Sequence, residues 1–411
     1  SNIQIVLGQH RVQDFINTDM IIQNPAVPHN SMYLQIARES GIPIETDLSL
    51  FLKICPSINL ITVGGTKGKS TVTNLIYHTF HKDNRDIVQA GNIGISVFDV
   101  LPEINPGTIV LLEISSWQLE GLAHISFQPH IAILTNILAD HLDRYDSFSH
   151  YVASKKLIYR NQNQSDYLIA NQDNLFTRDI IHDVRANTYW FSIKNRVAQG
   201  TYLEDNKLFF KSGEQLTEFF SVKDILLPGI HNISNILAAS NVFFIYDLPL
   251  SSIQNGIKTF PGVANRLEKI RTLRGINFYN DTCATTPDST ITAINSFSEE
   301  PLILIMGGRD KKLNYDELCK AIKKKGNIIY IVILQHPEYS ASEIIQEQLQ
   351  QLKMDDRVEI CSSMFEAVHK AYQNALPGTN IILSPAATSF GMFSNEFDRG
   401  RVFRHVVDEL I

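Results

Sequence analysis

The residues best suited to chemistry in this 411-residue chain cluster in the run Gly64-Gly65-Thr66-Lys67-Gly68-Lys69-Ser70-Thr71. An apolar stretch, NLITV (59–63), precedes it, and a helical pattern, VTNLIYHTFHK (72–82), follows it. Strand, glycine-rich turn, then Lys-Ser-Thr opening a helix is the layout of a phosphate cradle: backbone N–H groups and the helix N-terminus face an anion, Lys69 reaches the outer phosphates, and a hydroxyl such as that of Ser70 ligates Mg²⁺. The usual G-x-x-x-x-G-K-[ST] spacing is not met, because three residues separate Gly64 from Gly68. Glu113 closes a second apolar run in LLEISSWQLE (111–120), and a carboxylate at a strand end near phosphates suits a hard cation. His141 and Asp143 lie in TNILADHLDRY (135–145), and Lys155 and Lys156 are adjacent in HYVASKKLIY (150–159). Asn232 and Asn235, three apart in GIHNISNILAA (229–239), share a helix face, and their amides offer both donor and acceptor to a base edge or cap the helix.

The elements that must position these groups alternate. TIVLLEI (108–114), HIAILTNI (130–137) and DYLIAN (166–171) read as strands separated by helices, which predicts an α/β fold with a mostly parallel sheet. Residues 188–222 read as a small antiparallel excursion, and NISNILAASNVFFIYDL (232–248) as a long apolar helix. PGVANR (261–266) is a loop and a domain boundary, after which βα alternation restarts with INFYND (276–281), PLILIMGG (301–308), NIIYIVIL (327–334) and NIILSP (380–385). Before the cradle, DMIIQNPAV (19–27) reads as a strand, and SMYLQIARESG (31–41) and LSLFLKI (48–54) as helices.

Composition narrows the function classes. Lys plus Arg is 36 and Asp plus Glu 43, so the net charge of −7 weighs against nucleic acid or an anionic membrane as partner. Apolar residues are 44%, enough for substantial cores. The four cysteines (Cys55, Cys283, Cys319, Cys361) form no CxxC pair, so neither a disulfide scaffold nor a zinc site of ordinary spacing is expected. No apolar run reaches the ~18 residues of a membrane span. SNIQIVLGQHRVQDF has no signal-peptide pattern, so a cytoplasmic protein without membrane insertion is expected.

The GTxGKST variant of the turn resembles that of the Mur ligases, ATP-dependent enzymes that form peptide bonds in peptidoglycan precursors; their relatives the folylpolyglutamate synthetases carry a similar turn. Further segments resemble the Mur family in order along about 58–411: LLEISSWQLE its ELSSFQLE, TNILADHLDRY its TNxxxDHxDR, the stretch around Lys155 its YxAxKxxIY, GIHNISNILAA its GxHNxxNxxAA, and NRLE (265–268) its HRxE, with Asn265 in place of His. FYNDTCATTPDST (278–290), MGGRDKKLNYDEL (306–318) and SPAATSFGMFSNEFDRGRVF (384–403) resemble segments of the D-glutamate-adding branch, except that Cys283 stands where that branch has Lys.

The resemblance implies three α/β domains. These are a partial N-terminal Rossmann-like UDP-substrate domain (1–57), a central P-loop ATPase domain with a parallel sheet (58–262) and a C-terminal Rossmann-like amino-acid domain (263–411). TDMIIQNPAVPHN and AGNIGIS (90–96) resemble the family's ADLIVxSPGI and GGNIG, but the glycine-rich first turn of the N-terminal domain is absent, so that domain is either partial or binds its substrate differently. The implied roles are ATP binding by Gly65, Thr66, Lys67, Gly68, Lys69, Ser70, Thr71, Asn232, Asn235, Arg266 and Asp281, and Mg²⁺ binding by Ser70, Glu113, His141 and a carbamylated Lys155. Substrate contacts are implied for Asn92, Ser115, Gln118, Thr285, Lys311, Ser384, Ser389 and Phe397, with Lys69, His141 and Lys155 catalytic. The implied reaction joins D-glutamate to UDP-N-acetylmuramoyl-L-alanine through an acyl phosphate, in a monomer. Two alternatives stay open: a related ligase for L-glutamate or another amino acid, including a folylpolyglutamate-synthetase-like one, and a nucleotide-binding scaffold without ligase chemistry.

Overall fold

A computed structural model describes residues 3–411 other than 29, 139–144, 146, 180–181, 183, 298, 311–312 and 336–340. The chain divides into two compact units: Ser1–Ile225 with Ile233–Phe260, and Leu226–Asn232 with Pro261–Ile411. Among the described residues no helix is long and apolar enough to cross a membrane.

The first unit is built on a nine-stranded sheet. In chain order its strands are β3 (Leu60–Gly64), β4 (Ile87–Gly91), β5 (Ile109–Glu113), β6 (Ile131–Leu134), β7 (Tyr167–Asn171), β8 (Asn187–Ser192), β9 (Gly200–Glu204), β10 (Lys207–Ser212) and β11 (Gln215–Ser221), numbered after a two-stranded parallel pair, β1 (Ile21–Ile22) and β2 (Ile44–Glu45). The spatial order is β11-β10-β9-β8-β7-β6-β3-β5-β4. Strands β3, β5 and β6 are buried along their whole length, the pattern of parallel strands covered on both faces, and this explains their unbroken apolar sequences. Val110 and Leu112 of β5 join Ala132 and Leu134 of β6 in one core, closed by Tyr151, Ile158 and Tyr159.

The antiparallel excursion expected over 188–222 begins later. β8 pairs parallel with both β7 and β9, and only β9-β10-β11 forms an antiparallel meander. The amide of Trp190 donates to the Gln199 carbonyl (2.9 Å), which draws the returning chain alongside β8 in the same direction. The strand expected over 19–27 condenses to the two residues of β1.

The second unit holds a six-stranded sheet of β12 (Glu268–Leu273), β13 (Ile276–Asn280), β14 (Leu302–Gly307), β15 (Ile328–Leu334), β16 (Val358–Cys361) and β17 (Asn380–Leu383), ordered β12-β13-β17-β14-β15-β16. All neighbours are parallel except β12 and β13. Strand periodicity divides LILIM between two cores: Leu302, Leu304 and Met306 enter one, Ile303 and Ile305 the other. Each unit thus has a two-sided sheet, and ligand-binding loops are expected at the carboxyl ends of its parallel strands.

Candidate functional site

In the first unit the carboxyl ends of β3, β4, β5 and β6 carry the cradle, Asn92, Glu113 and Thr135-Asn136. The cradle helix runs Lys69–Lys82, starting before the apolar pattern because its first turn, Lys69-Ser70-Thr71, is polar. Gly68 precedes it with φ of 88°, and no side chain caps it. Gly65 has φ of 128°, and a Cβ there would lie 2.0 Å from Thr135 Oγ1; a Cβ on Gly68 would lie 2.3 Å from Asn235 Oδ1. Both positions therefore demand glycine for backbone angle and for space. The following segment clamps the turn. Thr66 N–H donates to the Asn136 carbonyl (2.9 Å), Lys67 N–H to Asn136 Oδ1 (2.9 Å), and Thr135 Oγ1 to the Lys67 carbonyl (2.7 Å).

Two ammonium groups converge on this turn. Lys69 Nζ donates to the carbonyls of Gly65 (3.2 Å) and Thr66 (3.0 Å), and Lys155 Nζ to that of Gly65 (2.8 Å). Lys155 is 2% exposed. Of the adjacent lysines it is therefore Lys155, on the helix Phe148–Lys156, that reaches the turn. Tyr151 completes the arrangement: its hydroxyl bonds Thr66 Oγ1 (2.9 Å), and its ring lies 5.1 Å from Lys155 Nζ. The Lys69 ammonium at an uncapped helix start favours an anion.

Glu113 is buried, and Asn92 Nδ2 donates to its Oε1 (2.9 Å). Its Oε2 is buried without a hydrogen-bond partner. An orphaned carboxylate oxygen beside a phosphate cradle fits a hard divalent cation. Among the described residues no group of three or more His, Cys, Asp or Glu forms a metal site. Asn92, an implied substrate contact, is tied to Glu113. Ser115 and Gln118 cap the helix Ser116–Gly121: Gln118 N–H donates to Ser115 Oγ (3.3 Å) and Ser115 N–H to Gln118 Oε1 (3.0 Å). Ser70 and Thr71 open the cradle helix half-buried. His141 lies outside the described residues.

In the second unit the loops after β13 and β17 meet. Asp281 is 7% exposed; Ser384 Oγ donates to its Oδ2 (2.8 Å) and Leu267 N–H to its Oδ1 (3.1 Å). Ser384 is wholly buried and also bonds Thr290 Oγ1 (3.1 Å), so it supports Asp281 from beneath. Ser389 is buried, Thr285 half-buried, and Phe397 exposed on the C-terminal helix Glu396–Glu409. Arg266 lies in the loop before β12, where its N–H donates to the Val263 carbonyl (3.1 Å) and its charge acts on Asp281 and Cys283. Asn232 Nδ2 donates to the Pro228 carbonyl (2.7 Å). Lys311 lies outside the described residues.

Burial pushes the Asp281 carboxyl from its ordinary 3.8 up to about 7, against the lowering pull of Ser384, the Leu267 amide and Arg266. The folded protein therefore holds this proton more tightly than the unfolded chain does. Stability falls as pH rises from about 4 toward 7, then levels off. Asp281→Asn is expected to remove that slope, and denaturant melts of both proteins at pH 5 and pH 8 check it. Equal pH dependence in the two would show that Asp281 titrates as an ordinary carboxyl.

Pattern reading missed Asn136, Tyr151 and Arg399. Tyr151 had a signal in the YxAxKxxIY stretch. Asn136 stands in the TN pair of the TNxxxDHxDR-like segment, but its meeting with the turn follows only from the sheet order. Arg399 looks like an ordinary surface charge in sequence yet is fully buried.

Two family descriptions match the chain: the Mur ligase middle domain over residues 63–243, and the Mur ligase glutamate ligase domain over residues 265–387. The chain is 36% identical to the UDP-N-acetylmuramoylalanine–D-glutamate ligase of Roseiflexus sp., covering 99% of this chain and 88% of that protein. It is 33% identical to the enzyme of the same name from Acetivibrio thermocellus, covering 100% and 86%. Among solved structures, UDP-N-acetylmuramate-alanine ligase MurC from Thermotoga maritima superposes with a TM-score of 0.65 at 20% identity, over 95% of this chain and 85% of that one. MurF ligase from Thermotoga maritima in complex with ADP gives 0.58 at 14% identity, over 96% and 99%.

Proposed function

The chain belongs to the Mur ligase family, and from that premise we propose that it is an ATP-dependent ligase joining D-glutamate to UDP-N-acetylmuramoyl-L-alanine in peptidoglycan precursor synthesis. The observation that carries the reading is the phosphate cradle with Lys69 and Lys155 converging on Gly65, beside the orphaned oxygen of Glu113. The substrate carboxylate attacks the γ-phosphorus of ATP, giving an acyl phosphate and ADP. The glutamate amine then adds to that acyl carbon, phosphate leaves, and the amine proton passes to solvent or a nearby base. A carboxylate is a poor acylating agent, and phosphorylation turns its oxide into a leaving group.

Little covalent chemistry falls to the protein; placement and charge neutralisation carry catalysis. Lys69 and the cradle amides hold the phosphates, Asn235 lies against Gly68, and Asn232, Arg266 and Asp281 are assigned to ATP by their motif positions. Glu113, Ser70, His141 and a carbamylated Lys155 would hold Mg²⁺, which supplies charge neutralisation at the transferring phosphoryl group. Carbamylation replaces an ammonium by an anionic oxygen ligand. Thr285, Lys311, Ser389 and Phe397 serve the amino acid, with Ser384 acting through Asp281. Asn92, Ser115 and Gln118 serve the UDP substrate through Glu113 and the capped helix, with residues 1–57 contributing to its binding. The enzyme works in the cytoplasm as a monomer.

The test is phosphate release from ATP with UDP-N-acetylmuramoyl-L-alanine and D-glutamate, L-glutamate or no amino acid. Release that needs both the UDP substrate and D-glutamate is expected. Release with L-glutamate alone would reassign the amino acid and direct attention to Cys283. ATP binding without release under any condition would favour a scaffold.

A further inference from the structure

We propose that Arg399 is the positioning residue for the amino-acid half of the reaction, a buried fork tying the loop after β13 to the loop after β17. The inference rests on the reading of the second unit as the glutamate-binding unit.

Arg399 sits in the first turn of the C-terminal helix and is 0% exposed. Its Nε donates to Thr282 Oγ1 (3.0 Å) and its Nη2 to the Thr282 carbonyl (2.8 Å), while Nη1 donates to the Ala387 carbonyl (3.0 Å). Thr282 Oγ1 in turn donates to the Glu396 carbonyl (2.8 Å), which fixes the start of the same helix. Gly400 makes this approach possible: a Cβ there would lie 2.5 Å from Asn265 Oδ1 and 2.7 Å from Thr282 Cγ2. The third loop is tied in by a bridge, with Arg309 N–H donating to the Thr388 carbonyl (3.0 Å) and Thr388 N–H to that of Arg309 (3.2 Å). One guanidinium thus sets the relative placement of the loops that carry Thr285 and Ser389.

All three hydrogen bonds of Arg399 go to neutral oxygens. Burial lowers the guanidinium to about 10, an adverse setting for a cation. Well-packed apolar side chains often match buried charges in stability, so the fork is better explained by geometry than by fold stability. A lysine keeps the charge but presents no planar fork for two loops.

The test uses the full chain with Arg399→Lys and, as a smaller change, Thr282→Val. Thr282→Val removes the shared hydroxyl but keeps the arginine. Each is expected to raise the KM for the amino acid about tenfold or more, because displaced positioning groups weaken ground-state placement. The KM for the UDP substrate should change less than about twofold, since its assigned residues Asn92, Ser115 and Gln118 belong to the first unit. Amide exchange in 282–286 and 385–389 should quicken together in Arg399→Lys, a readout independent of turnover. A folded Arg399→Lys with unchanged exchange in both loops, or with the KM for the UDP substrate rising in step with that for the amino acid, would overturn the proposal. Wild-type protein without amino-acid-dependent phosphate release would instead overturn the ligase reading, and the exchange measurement would still decide the clamp.

Discussion

Replacing Lys69 by Ala is expected to lower ATP-dependent phosphate release about 10²–10³-fold or more, the range seen when a preorganised donor to a developing charge is removed. Lys69 opens the cradle helix, and its ammonium already lies over the turn, held by the Gly65 and Thr66 carbonyls. Incoming phosphates offer stronger, charged acceptors, so the amine can exchange carbonyls for phosphate oxygens with little movement of the main chain. Phosphoryl transfer spreads charge over the transferring oxygens, and a fixed cation there lowers the barrier rather than only the binding energy. The loss should therefore appear mainly in kcat. Thermal melting of the ligand-free variant should stay close to wild type, because the turn is independently clamped by Thr135 and Asn136. A variant that keeps more than about a tenth of wild-type turnover would remove Lys69 from the reaction, since a transition-state cation cannot be that dispensable.

The cradle was legible in the sequence because its signal is local: an apolar strand, glycines and a Lys-Ser-Thr helix start occupy a dozen consecutive residues. What clamps it was not, because Thr135 and Asn136 reach it only through the adjacency of β3 and β6, about 70 positions apart in the chain. The same limit hid Arg399, whose partners Thr282 and Ala387 belong to two other loops. Parallel strands were readable from unbroken apolar runs, but the direction of β8 was not, since short half-buried strands carry the same residue types in either pairing. Motif matching implied substrate roles for Ser384, Asn92, Ser115 and Gln118, and the structure adds a hydrogen bond within the protein to each of them. A motif records which residues a site needs; which of them face the ligand is decided by packing.

Glu113→Gln is expected to abolish turnover, by about 10²-fold or more, while leaving the ligand-free protein as stable as wild type or more so. The carboxylate is 1% exposed, one oxygen held by Asn92 and the other without a partner. A buried oxygen in that condition costs about 1–3 kcal/mol, and the fold gains nothing from keeping it. Glutamine fills the same volume and can still pair with Asn92, yet it offers a cation no anionic ligand. Opposite changes in stability and activity would mark a group kept for its ligand at the expense of the empty site. A second readout separates the cation from general damage: Mg²⁺ with a nucleotide should raise the melting temperature of wild type, and that increment should shrink in Glu113→Gln while nucleotide alone acts equally on both. If instead the variant melts lower and keeps its full Mg²⁺ increment, Glu113 is a packing residue and not a ligand of the cation.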